Sequence, residues 1–169
     1  MRYIKNGAVA ADPWMRVQGD EPVPPDVPVI VSPDWLLGAP ESAFAERTAP
    51  LGVAWPNDKP VTGLGPHLPK LSLVALEFPT FRDGRAYTQA RQLREQYLFK
   101  GELRATGDVL RDQFLFMARA GFDAFEVKKA ADAEAFAKAV HEFSVLYQPA
   151  ADARTPGFRA RLLGRPASA

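Results

Sequence analysis

Residues 71–94, LSLVALEFPTFRDGRAYTQARQLR, followed by residues 101–113, GELRATGDVLRDQ, decide how this chain folds. In each, what reads as a buried strand ends in charge, turns on a glycine and opens a segment with helical spacing and several arginines. Such a strand, turn and helix repeated in close succession is the pattern of a parallel sheet whose crossovers are helices. Working outward, VIVSPDWLLG (29–38) supplies an earlier strand and a Ser-Pro helix start, LGVAW (51–55) a second strand, and AFEV (124–127) a last one. Between 58 and 68, DKPVTGLGPHL reads as a weak, poorly helical crossover.

Helix faces agree with this reading. Ala86, Ala90, Leu93 and Tyr97 recur at helical spacing over 85–97, as do Ala133, Phe136, Val140, Ser144 and Tyr147 over 132–147. The helix expected over 108–120 is apolar around most of its circumference, which predicts either a core helix buried on two sides or a subunit contact at Leu115 or Phe116, and so a homodimer. The expected fold class is α/β: a parallel sheet of about five strands in repeated β-α order, like part of a (β/α) barrel. The alternative is a doubly wound open sheet, and strand order separates the two.

The 169 residues fit a single α/β domain. Residues 1–27 read as a hairpin appendage turned by Asn6-Gly7 and a proline-rich connector, 28–147 as the core, and 148–169 as a basic tail rich in proline and alanine. With 47% apolar and 24% charged residues the composition is that of a globular protein, not a disordered one. Twenty-one basic against twenty acidic residues argue against a nucleic-acid partner. Without cysteine, disulfides, thiol catalysis and iron–sulfur ligation are excluded. No apolar run suggests a membrane span or secretory leader, so a cytoplasmic protein without a membrane partner is expected.

The informative residues are charges on strands that should be apolar. Alternation places Leu73, Ala75 and Glu77 on one face, Glu102 and Arg104 on one face, and Ala124, Glu126 and Lys128 on one face, so a charged stripe is expected across the sheet. The loops after two strands add Arg82, Arg85, Thr106, Asp108 and Arg111. Glu77, Arg82, Arg85, Arg104, Thr106, Asp108 and Arg111 are therefore the candidate anion- or partner-binding set, with Arg82, Arg85 and Arg104 as guanidinium clamps for an oxyanion. The competing structural reading has Asp83 and Asp108 capping helices while Glu77, Glu102 and Asp112 pair with arginines. The glycines fit neither a phosphate loop nor a dinucleotide fingerprint, His67 and His141 are too isolated for a metal site, and no cofactor is expected.

Two stretches, LVALEFPTFRDGRAYTQARQLR (73–94) and GELRATGDVLRDQFLFMARAGFDAF (101–125), closely resemble the bacterial family called domain of unknown function 934. The likeness covers most of residues 50–150. Members are labelled oxidoreductases involved in sulfite reduction, so the resemblance implies an accessory role in assimilatory sulfite reduction, beside the haem sulfite reductase subunit or its electron donor. It assigns no catalytic residue. Relatives carry cysteine where this chain has Ala120, so a thiol mechanism has no counterpart here. The alternative is an enzyme that binds a small oxyanion or phosphorylated ligand at the arginine-rich strand ends; with no cofactor motif, electron transfer would need a borrowed cofactor.

Overall fold

The computed structural model describes residues 2–19, 21–128, 134, 150 and 151. The helix expected over 132–147, His141 and nearly all of the 148–169 tail lie outside the described residues. Eight strands form one sheet: β1 (Arg2–Lys5), β2 (Ala8–Ala10), β3 (Met15–Arg16), β4 (Val29–Val31), β5 (Leu51–Trp55), β6 (Leu73–Phe78), β7 (Glu102–Gly107) and β8 (Ala124–Val127), in the order β2-β1-β8-β7-β6-β5-β4-β3.

The strands β3 to β8 are parallel and lie in sequence order, without the reversal of a doubly wound sheet. All five expected strands are present, but the sheet is larger and mixed. The hairpin β1–β2 is not an appendage, because β1 pairs antiparallel with β8 in the register Tyr3 to Glu126 and Lys5 to Ala124. Its turn is the expected one, with Asn6 at φ 51° and Gly7 at φ 80°.

The sheet is strongly curled. Five strand spacings separate β3 from β8, about 24 Å if the sheet were flat. Yet Nη2 of Arg16 on β3 donates to Oε1 of Glu126 on β8 at 2.6 Å. Two side chains span that gap only if the strands bend round toward each other, so the architecture is a half-barrel with helices outside.

The convex face is the apolar one. Val29, Val31, Val53, Trp55, Val74, Leu76, Phe78, Leu103, Ala105, Phe125 and Val127 alternate onto it and join one buried cluster with the outer layer. Among the described residues that layer consists of α1 (Pro33–Gly38), α2 (Glu41–Ala45), a 3₁₀ segment over Val61–Lys70, α3 (Arg85–Glu95) and α4 (Phe114–Ala120). The Ser32 side chain caps α1, accepting from the Trp35 N–H at 3.2 Å, with Pro33 at the first turn as expected. Ala86, Ala90 and Leu93 are the buried stripe of α3, and the two alanines let it sit close to the sheet.

The helix expected from residue 108 starts later. The Asp108 carboxylate does not cap a helix; it accepts the Phe81 N–H at 3.1 Å, and the chain runs on through a 3₁₀ turn (Arg111–Gln113) before α4. Phe114, Met117 and Ala120 face the sheet as a single stripe, so α4 is not buried on two sides: Phe116 is 65% exposed. The helix stops where expected, at Gly121 with φ 108°, where the Phe122 N–H bonds the Met117 carbonyl.

Candidate functional site

Alternation on the inner strands turns Glu102, Arg104 and Thr106 of β7, Glu126 of β8 and Tyr3 and Lys5 of β1 onto the concave face. At its centre the Arg104 side chain is completely buried. Its Nε donates to Glu102 Oε1 at 2.9 Å, its Nη1 to Glu126 Oε1 at 3.1 Å, and its two terminal nitrogens form a fork on Asp12 at 2.8 and 3.0 Å. Lys5 Nζ lies 2.9 Å from Glu102 Oε2, and the Tyr3 hydroxyl donates to the same oxygen at 2.8 Å. The guanidinium lies 4.3 Å from the centre of the Tyr3 ring.

Lys5, Arg16 and Arg104 thus face Asp12, Glu102 and Glu126, and the group is neutral by formal charge. Burial alone would disfavour the charged Arg104, but hydrogen bonding to Asp12 and the charges of Glu102 and Asp12 outweigh it and raise its pKa. Burial first, and then the hydrogen bond to Glu102, pushes the Tyr3 phenol far above its ordinary value. Tyr87 of α3, packed against Phe78 and Phe122, is pushed up to about 12 by burial and the charge of Asp112. Both folded-state values exceed the unfolded value near 10, so the stability these phenols contribute is complete below pH 10 and is lost as pH rises through the folded values. An ultraviolet titration should therefore show Tyr3→Phe and Tyr87→Phe leaving the ionisation amplitude near pH 10 unchanged while each removes amplitude above it; loss of the pH 10 amplitude would contradict these environments.

The structure separates the predicted arginine clamp. Arg104 belongs to the concave network and does not join Arg82 and Arg85. Arg85 forks onto Asp83 at 2.6 and 2.9 Å, and hydrogen bonding from Arg85 holds that carboxyl well below the usual range. Asp83 also accepts the Arg85 N–H at 3.3 Å, close to the capping role expected of it. Arg82 lies with its guanidinium 5.3 Å from the Phe81 ring centre. Arg111 is exposed in the 3₁₀ turn, and Asp108 adds Lys128 Nζ, at 3.3 Å, to its bond with Phe81. Gln113 Nε2 donates to the Phe81 carbonyl at 3.0 Å, so the 79–84 loop and the start of α4 are tied together as one rim. Phe116, one helical turn beyond Gln113, projects from the same side.

Thr106 is buried beside Glu77 in the β6–β7 register. Glu77 is the one exposed residue of β6 and has no hydrogen bond or ion pair among the described residues, contrary to the expected arginine pairing. It lines a cleft of about 480 Å³ with Arg16, Ile30, Asp34, Ala54 and Lys59, among others, at the carboxyl ends of β3 to β6. Sequence reading missed Tyr3, Lys5, Asp12 and Arg16. Their signal was the charged stripe itself, whose carboxylates outnumber its arginine and call for further cations from elsewhere in the chain.

These features define a mostly parallel, curled α/β half-barrel whose concave face is sealed by ion pairs and whose carboxyl-end rim is open. The chain belongs to the family described as bacterial protein of unknown function, DUF934, whose model matches residues 52–158. The match includes all seven predicted site residues and leaves out the N-terminal partners Asp12 and Arg16. No curated protein matches the chain. Among the described residues no helix is long and apolar enough to cross a membrane, and no cluster of potential metal ligands occurs.

Proposed function

We propose that this protein is an accessory component of assimilatory sulfite reduction, which docks through its carboxyl-end rim onto the haem sulfite reductase subunit or that enzyme's electron donor. The observation that carries the docking surface is the exposure of two phenylalanines, Phe81 at 43% and Phe116 at 65%, on a rim that also bears the exposed Arg82 and Arg111. Aromatic side chains and arginines are what desolvated interface centres are built from, and exposed large apolar groups cost solubility unless something covers them. Asp83 and Asp108 are offset by Arg85 and Lys128, which leaves Arg82 and Arg111 against Asp112, a modest positive bias suited to an acidic partner. The sulfite context comes from the label that members of the resembled family carry, and Arg104, buried among carboxylates, supports docking over oxyanion clamping.

The test is a binding titration against the purified reductase subunit and against an acidic electron donor, together with growth on sulfate as sole sulfur source after deletion. Phe116→Asp and Arg82→Glu should each weaken the complex by roughly tenfold or more, with a salt dependence that Arg82→Glu reduces. Absence of a complex together with unimpaired growth would contradict the role. A second copy of this chain is the competing occupant of Phe116. Sizing of the protein alone decides it, since a homodimer converted to monomer by Phe116→Asp would assign the surface to self-association.

A further inference from the structure

The cleft at the carboxyl ends of β3 to β6 is separate from the rim and carries its own chemistry. Its floor is apolar, formed by Ile30 and Ala54, and the small side chain of Ala54 leaves the space open. On one side stands Arg16. Its Nη2 is committed to Glu126, while Nε and Nη1 make no hydrogen bond among the described residues. On the other wall Lys59 and Asp34 satisfy each other at 3.1 Å. What remains is Glu77, a carboxylate unpaired among the described residues, on a strand that is otherwise buried throughout. Cleft volume, placement beyond the carboxyl ends of parallel strands, and a few convergent polar groups over an apolar floor are the general marks of a small-molecule site.

The pairing of charges narrows the ligand. An inorganic oxyanion could use Arg16 but would be repelled by Glu77, and a simple amine would leave the free donors of Arg16 unused. From this arrangement we infer that the cleft binds a small zwitterion of the α-amino-acid type, its carboxylate on Arg16 and its ammonium on Glu77. The side chain of such a molecule would lie over Ile30 and Ala54. This site is independent of docking, because neither Glu77 nor Arg16 belongs to the Phe81–Phe116 rim.

The experiment is calorimetric titration of the isolated full chain with the proteinogenic α-amino acids, then with the N-acetyl derivative and the decarboxylated amine of the tightest binder. At least one amino acid should saturate a single site, and both derivatives should fail to do so. Glu77→Gln, at an exposed position and checked for fold by circular dichroism, should weaken binding by about tenfold or more. Failure of every amino acid to saturate by about 10 mM would overturn the assignment. So would undiminished binding by Glu77→Gln or by the N-acetyl derivative.

Discussion

Arg104→Met should remove about 3–5 kcal/mol of stability, enough to leave a domain of ordinary stability close to unfolding at room temperature. The substitution keeps an unbranched apolar stem and deletes the guanidinium whose charge Glu102, Glu126 and Asp12 share. Glu102 and Glu126 have side chains only 5% and 9% exposed, so water cannot replace what the guanidinium supplied. Lys5 and Tyr3 still hold Glu102, and Arg16 still holds Glu126, which sets the loss below that of stripping two isolated carboxylates. Urea denaturation followed by circular dichroism measures it. A loss below about 1 kcal/mol would mean that the network is no more than a surface set of ion pairs.

Gly107→Ala is the second large effect, and its cause is steric. Gly107 closes β7 at φ 90°, and an added Cβ would lie 2.4 Å from the Phe78 carbonyl oxygen and 3.1 Å from its carbon. Positive φ alone costs about 1–3 kcal/mol for a residue with a side chain. The clash must also push the end of β7 from β6, which threatens the 2.8 Å bond from the Asp108 N–H to Phe78. Because Asp108 holds Phe81 in turn, the same change should loosen the rim and weaken the proposed docking. Gly19 is the internal control: its φ is 56°, but nothing lies within 4 Å of a Cβ built there, so Gly19→Ala should cost only the dihedral term. Equal losses at the two glycines would contradict the steric account.

Much of the architecture was legible because it is written locally. Four of the five central strands carry a short apolar run, all five are bounded by turn residues or charge, and the glycine stop of α4 sits in ARAGF. Non-local pairing was not legible. Nothing near Tyr3 announces that its strand joins the far edge of the sheet, and a two-residue strand at Met15–Arg16 has no period to read. The same limit explains Arg104. A buried arginine in mid-strand reads as a site when its fork partner, Asp12, lies 92 residues away in sequence. Asp108 was misread for a different reason. A carboxylate before an apolar run is a good helix cap, but here the Phe81 N–H competes for it and wins.

What the sequence did expose was the stripe of charge itself and the position of three charged residues. Glu77, Arg82 and Arg111 stand at the carboxyl ends of the sheet, as read from strand alternation and loop position. The network seals the interior and the rim loop is held by Asp108 and Gln113, so the docking surface proposed at Phe81, Arg82 and Phe116 is preorganised.

The most direct test of that surface is calorimetry between this protein and the sulfite reductase subunit, repeated with its electron donor and with the Phe116→Asp and Arg82→Glu variants. The docking account predicts a saturable complex with one of the two partners, weakened about tenfold or more by either variant while circular dichroism stays native. A complex that both variants leave at full strength, or no complex with either partner, would contradict it.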